Sequence, residues 1–141
     1  MPIYLDHSAT TPIAPEAREA MLPYLTDSYG NASSLHSFGR DAAAALDEAH
    51  YTVGCAIGAR ASEVIFTGCG TESDNLAVIG TVAARRLADP AQRLIVLPRL
   101  EHKAVLEPAV ALGEDAVVWW EADSSGHLDP KDLESLLAEH A

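Results

Sequence analysis

Apolar and polar positions follow a pattern that predicts helices separated by short strands. Apolar residues recur at helical spacing over residues 15–25 and 37–58, and Gly58 is placed to end the second helix. Three further helices are predicted, over residues 71–87, 103–112 and 129–139. Short apolar runs predict strands over residues 64–67, 94–97 and 116–120.

Strands that alternate with helices and are apolar throughout favour a parallel sheet covered on both faces. We therefore predict an α/β fold, a three-layer sandwich with a mainly parallel sheet. Pro98, Pro108 and Pro130 are expected near the starts of elements. One domain, or part of one, is expected, because no linker or repeat interrupts the chain and its last helical pattern leads into no further strand.

The charge balance excludes several partners. Among 141 residues, 21 acidic residues against 9 basic ones give a formal charge of -12, which disfavours nucleic acid and anionic membranes. No secretory signal or membrane-length apolar run is found, so a cytoplasmic location is expected. Cys55 and Cys69 form no disulfide framework, and the histidines show no metal-ligand spacing, so no metal site is predicted.

Residues 63–75 hold a glycine turn between a short apolar run and a polar helix start. Gly68 and Gly70 allow backbone N–H groups to approach an anion, Thr71 adds a hydroxyl, and the helix start favours negative charge. A phosphate cradle is one interpretation. The other is a capping box formed by Thr71 and Asp74. The turn matches neither a dinucleotide fingerprint nor a Walker loop.

A second candidate is His102, which follows the strand predicted over residues 94–97 and precedes the helix predicted from residue 103. In open α/β sheets, ligands bind beyond the carboxyl ends of the strands. An imidazole there suits acid–base chemistry, although the position alone favours an ordinary surface residue at a helix start.

Four motifs resemble the cysteine desulfurase family, whose members use pyridoxal phosphate and have the aspartate-aminotransferase type of fold. The motifs are Tyr4-Leu5-Asp6-x-x-Ala9-Thr10-Thr11-Pro12, Gly30-Asn31-x-Ser33-Ser34-x-His36-x-x-Gly39-Arg40, Ile65-Phe66-Thr67-x-x-Gly70-Thr71-Glu72-Ser73-Asp74-Asn75-Leu76-Ala77 and Glu101-His102-Lys103-Ala104-Val105-Leu106. The resemblance implies the N-terminal part of a fold type I large domain. Residues 1–15 would form an N-terminal segment and residues 16–141 the first part of the cofactor-binding domain.

The resemblance also implies the site. Gly70 and Thr71 match positions that bind the phosphate of pyridoxal phosphate, and His102 matches the histidine that stacks on the cofactor ring and assists proton transfer. The implied reaction converts L-cysteine to L-alanine and leaves sulfur as an enzyme persulfide, for iron–sulfur cluster or thio-cofactor synthesis. The implied partners are a sulfur-acceptor or scaffold protein and either a second copy or a complementary C-terminal chain.

The chain departs from the family pattern in two places. Cys69 stands where the family has a glycine, which would be strained if that position required positive φ, and Ala32 replaces a usual proline. Neither Lys103 nor Lys131 matches the family's cofactor lysine, and both are interpreted as surface residues. We therefore expect a fragment or one half of a split enzyme, inactive by itself.

Two other hypotheses remain open. The chain could be a non-catalytic α/β module for assembly or partner binding. It could instead be a thiol enzyme, in which Cys69 beside a helix start is activated by His102; that requires the two side chains within hydrogen-bonding reach.

Overall fold

A computed structural model describes residues 2–140 of the chain. The chain divides into two compact units, the first ending at Ile65 and the second beginning at Phe66. Each unit has its own local architecture. None of the helices over residues 2–140 is both long enough and apolar enough to cross a membrane.

Over residues 2–65, the first unit contains two helices and a short 3-10 turn. Helix α1 spans Pro15–Leu25 and helix α2 spans Ser37–Ile57, as predicted. Proline is favoured in the first turn of a helix, since its missing N–H would have no partner there. Gly58 ends α2 with φ of 70°, a left-handed conformation that glycine adopts without a steric penalty.

A tight backbone approach fixes the start of α2. The Nδ1 atom of His36 accepts a hydrogen bond from the backbone N–H of Gly39, at 3.3 Å. Gly39 is buried, and a Cβ atom at this position would lie 2.2 Å from the carbonyl oxygen of Ser34. Only glycine therefore fits where the loop meets the helix.

Over residues 66–140, the second unit alternates helices with two parallel strands. Its elements are α3 (Gly70–Ala88), β1 (Ile95–Pro98), α4 (Lys103–Ala111), β2 (Val117–Trp120) and α5 (Pro130–Glu139). The strands pair in parallel from Ile95 opposite Val117 to Pro98 opposite Trp120. The predicted α/β class and the parallel pairing are confirmed.

Two local predictions are wrong. Residues 64–67 form no strand, although Val64 has φ and ψ of -93° and 129°. Extended backbone becomes a strand only when a neighbour completes its hydrogen bonds, and within residues 2–140 the sheet consists of β1 and β2 alone. Pro108 lies inside α4 rather than at its start, and Pro98 is the last residue of β1.

Small residues form the core of the second unit. The buried apolar residues are Val82, Ala104, Ala109, Ala116 and Val117. Ala109 is completely buried, so α4 has no bulky side chain at this position to hold its backbone away from its neighbours. Helix α3 packs against α4.

Candidate functional site

The start of α3 differs from a simple capping box. The helix begins at Gly70 with Cys69 as its N-cap residue, and no side chain makes a capping hydrogen bond. Thr71 therefore lies inside the first turn, and the capping-box interpretation with Thr71 as the cap is wrong. The first turn keeps its N–H groups available.

Those N–H groups have no acceptor within the helix. The earliest backbone bond of α3 runs from the N–H of Ser73 to the carbonyl of Cys69, at 3.2 Å. The N–H groups of Gly70, Thr71 and Glu72 precede it, and in an α-helix such groups have no intrahelical acceptor. A Cβ atom placed on Gly70 would have nothing within 4 Å. A ligand can therefore approach this stretch of backbone.

Cys69 causes no backbone strain. Its φ of -166° and ψ of 167° are extended values that any residue adopts, and the structure describes no residue other than glycine at positive φ over residues 2–140. The cysteine that departs from the family pattern is therefore compatible with an undistorted turn.

The turn before α3 already holds one carboxylate. The backbone N–H of Gly68 donates to Oε2 of Glu72 at 2.7 Å. A negative charge near a helix N-terminus is favourable, so Glu72 stabilises the turn in the absence of any ligand. It also occupies one of the donors that the sequence pattern assigned to the cradle.

His102 caps the start of α4. Its Nδ1 atom accepts a hydrogen bond from the backbone N–H of Ala104, at 3.1 Å. Since Nδ1 accepts, the proton of the neutral ring lies on Nε2. The side chain is exposed, so this N–H can meet a ligand.

Thr71 and His102 line the same cleft. The cleft lies between α3 and α4 and has a volume of about 540 Å³. Its walls are formed by Thr71, Asn75, Ile79, His102, Lys103, Ala104, Glu107, Pro108 and Ala111. Gly70 precedes Thr71 without lining the cleft itself. Lys103, interpreted from the sequence as a surface residue, is exposed and also lines it.

Cys69 and His102 are not brought together. Cys69 does not line the cleft, and over residues 2–140 no hydrogen bond joins its sulfur to the imidazole. The thiol-enzyme hypothesis therefore lacks the contact it requires. The described part of the chain also contains no group of three or more histidine, cysteine or acidic side chains that could hold a metal ion.

A second cleft of about 440 Å³ lies beside Val82 and Ile95. Its lining is mainly apolar, and it contains neither Thr71 nor His102. Within the part of the chain that the structure describes, the cleft between α3 and α4 combines the side chain of Thr71 with the imidazole of His102.

Two polar residues of the cleft, Asn75 and Glu107, were not singled out from the sequence. Nδ2 of Asn75 donates to the carbonyl oxygen of Thr71 at 2.8 Å and to that of Ala104 at 3.4 Å. The second partner is 29 residues away. The Pro108 within a helical pattern was the available signal, because it removes a backbone donor from α4.

The second unit is therefore an α/β unit in which the first turn of one helix and an imidazole at the start of the next border one cleft. Residues 3–141 match the family model described as aminotransferase class-V. The chain belongs to this family.

Several known proteins and solved structures are similar to this chain. The chain is 41% identical over 137 residues to the cysteine desulfurase IscS of Dictyoglomus turgidum, a match that covers 96% of this chain and 34% of the relative. A solved NifS-like protein gives a TM-score of 0.82 at 32% identity, covering 96% of this chain and 37% of the other. A structure described as SspA in complex with cysteine gives 0.78 at 30% identity, covering 94% and 38%. The chain thus spans about a third of the length of these proteins, and the predicted fold type is confirmed.

Proposed function

We propose that this chain forms the part of a cysteine desulfurase that binds the phosphate and one ring face of pyridoxal phosphate. The observation that carries the proposal is that Thr71 and His102 line one cleft. The relatives named as cysteine desulfurases support the reaction class. Catalysis, substrate and partners belong to the whole protein and are part of the proposal.

The residues present fit the cofactor at two points. A phosphate ester needs several N–H and hydroxyl donors, and the first turn of α3 offers the N–H groups of Gly70 and Thr71 with the Thr71 hydroxyl. The open space at Gly70 admits a bulky anion. His102 stands at the start of the other helix, where its planar ring can lie against an aromatic ligand.

Pyridoxal phosphate, when bound, supplies an electron sink for bond cleavage in an amino acid substrate. Residues of this chain position the cofactor and transfer protons. Thr71 and the adjoining N–H groups hold the anionic end, while His102 holds a proton at Nε2 that it can exchange with the substrate. Lys103 adds a positive charge to the cleft wall and Glu107 adds a negative one, so the preference for an anionic ligand rests on the N–H groups at the start of α3.

The proposed substrate is L-cysteine, converted to L-alanine with sulfur left as an enzyme persulfide. The solved relative described with bound cysteine supports this choice. The sulfur would pass to an acceptor or scaffold protein for iron–sulfur cluster or thio-cofactor synthesis. Because neither Lys103 nor Lys131 matches the cofactor lysine, we propose that this polypeptide alone does not release sulfur from cysteine.

We further propose an assembly in the cytoplasm, either with a second copy or with a complementary C-terminal chain. Large apolar side chains are solvent-exposed in both units, among them Leu35 at 91% and Leu87 at 89%. Exposed apolar surface favours association.

Pyridoxine phosphate, which lacks the aldehyde and cannot link to a lysine, tests the cofactor assignment by calorimetric titration. We expect it to bind about ten-fold or more tightly than pyridoxine, because a hydrogen bond to a charged group contributes about 1.5–3 kcal/mol. Gly70→Ala should abolish this preference, since the added methyl group fills the open approach. Gly80→Ala makes the same change within α3, where a Cβ meets only Leu76 at 3.7 Å, and should leave affinity unchanged.

Equal affinity for the two ligands would contradict the proposal, as would an equal loss in both glycine variants. In that case the non-catalytic assembly module becomes the better account of this chain.

A further inference from the structure

Asn75 connects the two helices that form the cleft. Its side chain is half-buried, and its Nδ2 atom has two hydrogens, one for each of its carbonyl partners. The bond to Thr71, at 2.8 Å, lies within α3. The bond to Ala104, at 3.4 Å, crosses to α4.

Pro108 explains why the carbonyl of Ala104 needs this donor. In an α-helix, a carbonyl accepts from the N–H group four residues later. For Ala104 that position is Pro108, which has no N–H. Ala104 and Pro108 are both buried, and an unpaired buried carbonyl is costly. Asn75 supplies the missing donor from the neighbouring helix.

The backbone N–H of Ala104 contacts the imidazole of His102. This N–H donates to Nδ1 of His102 at 3.1 Å, while the C=O of Ala104 accepts from Asn75. A continuous series of hydrogen bonds therefore runs from Thr71 through Asn75 and Ala104 to His102. Thr71 and His102 are the two residues on opposite helices that the proposed cofactor must contact at once.

We infer that Asn75 is a positioning residue that fixes the orientation of His102 relative to Thr71. The inference rests on the proposed function for its consequence, because correct spacing matters only to a ligand that touches both residues. Without the hydrogen bond from Asn75 to Ala104, both helices would stay folded, but their starts could shift relative to each other. Small displacements of binding groups lower affinity.

A structural role and a positioning role make different predictions in a double-mutant cycle with Pro108. Asn75→Ala leaves the Ala104 carbonyl unpaired and removes the hydrogen bond between the two helices. Pro108→Ala gives that carbonyl an N–H donor within α4. In the double variant the Ala104 carbonyl again has a donor, but no hydrogen bond joins α3 to α4 at this point.

We expect Asn75→Ala to lower both the melting temperature and the affinity for pyridoxine phosphate, the latter by about five-fold, as for one hydrogen bond. In the double variant, the melting temperature should recover while the affinity stays low. Gln92→Ala, which removes an exposed amide elsewhere in the unit, should change neither. Recovery of affinity together with stability would overturn the inference.

A second readout needs no ligand. Residual dipolar couplings of the backbone amides report the angle between α3 and α4, and we expect that angle to change in the double variant relative to the parent chain. An unchanged angle would overturn the inference. If the parent chain fails to bind pyridoxine phosphate, the proposed function fails, and this angle still decides whether Asn75 positions the two helices.

Discussion

The Nδ1 atom of His102 accepts a hydrogen bond from the backbone N–H of Ala104, at 3.1 Å. This contact specifies which ring nitrogen faces the cleft with a proton, because a nitrogen that accepts cannot carry one in the neutral ring. Any proton exchange by His102 then involves Nε2. The same contact explains how an exposed side chain keeps a defined orientation.

Nitrogen-15 NMR of the imidazole rings in alkaline buffer tests this assignment. We expect His102 to be the tautomer with hydrogen on Nε2. His50 is an internal control in which we expect the other tautomer, with hydrogen on Nδ1. Its Nδ1 lies 2.8 Å from the carbonyl oxygen of Leu46, and a carbonyl can only accept. Hydrogen on Nδ1 of His102 would contradict the described contact.

Replacing Glu72 by glutamine should strengthen phosphate binding. The carboxylate of Glu72 lies 2.7 Å from the N–H of Gly68, so its charge opposes an anion at the start of α3. We expect affinity for pyridoxine phosphate to rise about five-fold, because two charges a few ångström apart interact by about 1 kcal/mol in water. Calorimetric titration at low salt measures the change.

The matched control for Glu72→Gln is Glu134→Gln, which removes the same charge from α5 and outside the cleft lining. An equal gain in both variants would indicate that only the net charge of -12 matters. A loss of affinity in Glu72→Gln would mean that the carboxylate organises the donors rather than competing with the ligand.

Asp123 should make the turn before α5 sensitive to acid. Its carboxylate accepts from the Ser125 hydroxyl at 2.6 Å and from the backbone N–H groups of Ser125 and His127. The Ser125 hydroxyl, followed by these N–H groups, lowers the pKa of Asp123 below its ordinary value of 3.8.

A lowered pKa means that the folded turn favours the charged carboxylate. This contribution is fully present above the ordinary value and is lost as the pH falls through the lowered one. We expect the amide shifts of Ser125 and His127 to stay constant until below pH 3.8 and then to move together. In Asp123→Ala they should show no such transition; an unchanged transition would assign it to another group.

Gly39→Ala should destabilise the first unit. The added Cβ would lie 2.2 Å from a backbone oxygen of Ser34, and overpacking of this kind costs about 1–3 kcal/mol. Gly80→Ala should instead be neutral or stabilising by about 0.5–1 kcal/mol, because glycine weakens a helix interior. Hydrogen exchange measured separately in the two units distinguishes these effects, and equal protection in Gly39→Ala and the parent chain would contradict the clash.

Helix positions could be predicted because their signals are local. Proline in the first turn of α1 and of α5, and Gly58 after α2, act on the backbone beside them. The strand predicted over residues 64–67 is absent because a strand signal is not only local. These apolar residues have strand propensity, yet a strand depends on a hydrogen-bonded neighbour that no local pattern specifies.

The cleft divides in the same way. The donors at Gly70 and Thr71 and the imidazole of His102 could be proposed from turns and motifs, and the shared cleft of Thr71 and His102 agrees with that proposal. The contact between Asn75 and Ala104 could not be predicted, because the two residues are distant in sequence and Pro108 indicates only that a donor is missing. It follows from two features together, the amide on α3 and the missing N–H of Pro108 on α4.

An NMR titration with pyridoxine phosphate, with the backbone and histidine signals assigned, tests whether Thr71 and His102 bind one ligand. We predict that the amide signals of Gly70, Thr71 and Glu72 shift together with the ring signals of His102, and that the ligand's ring methyl shows a nuclear Overhauser effect to His102. Shifts confined to the apolar cleft beside Val82 and Ile95, or amide shifts at α3 with an unmoved His102, would contradict this prediction.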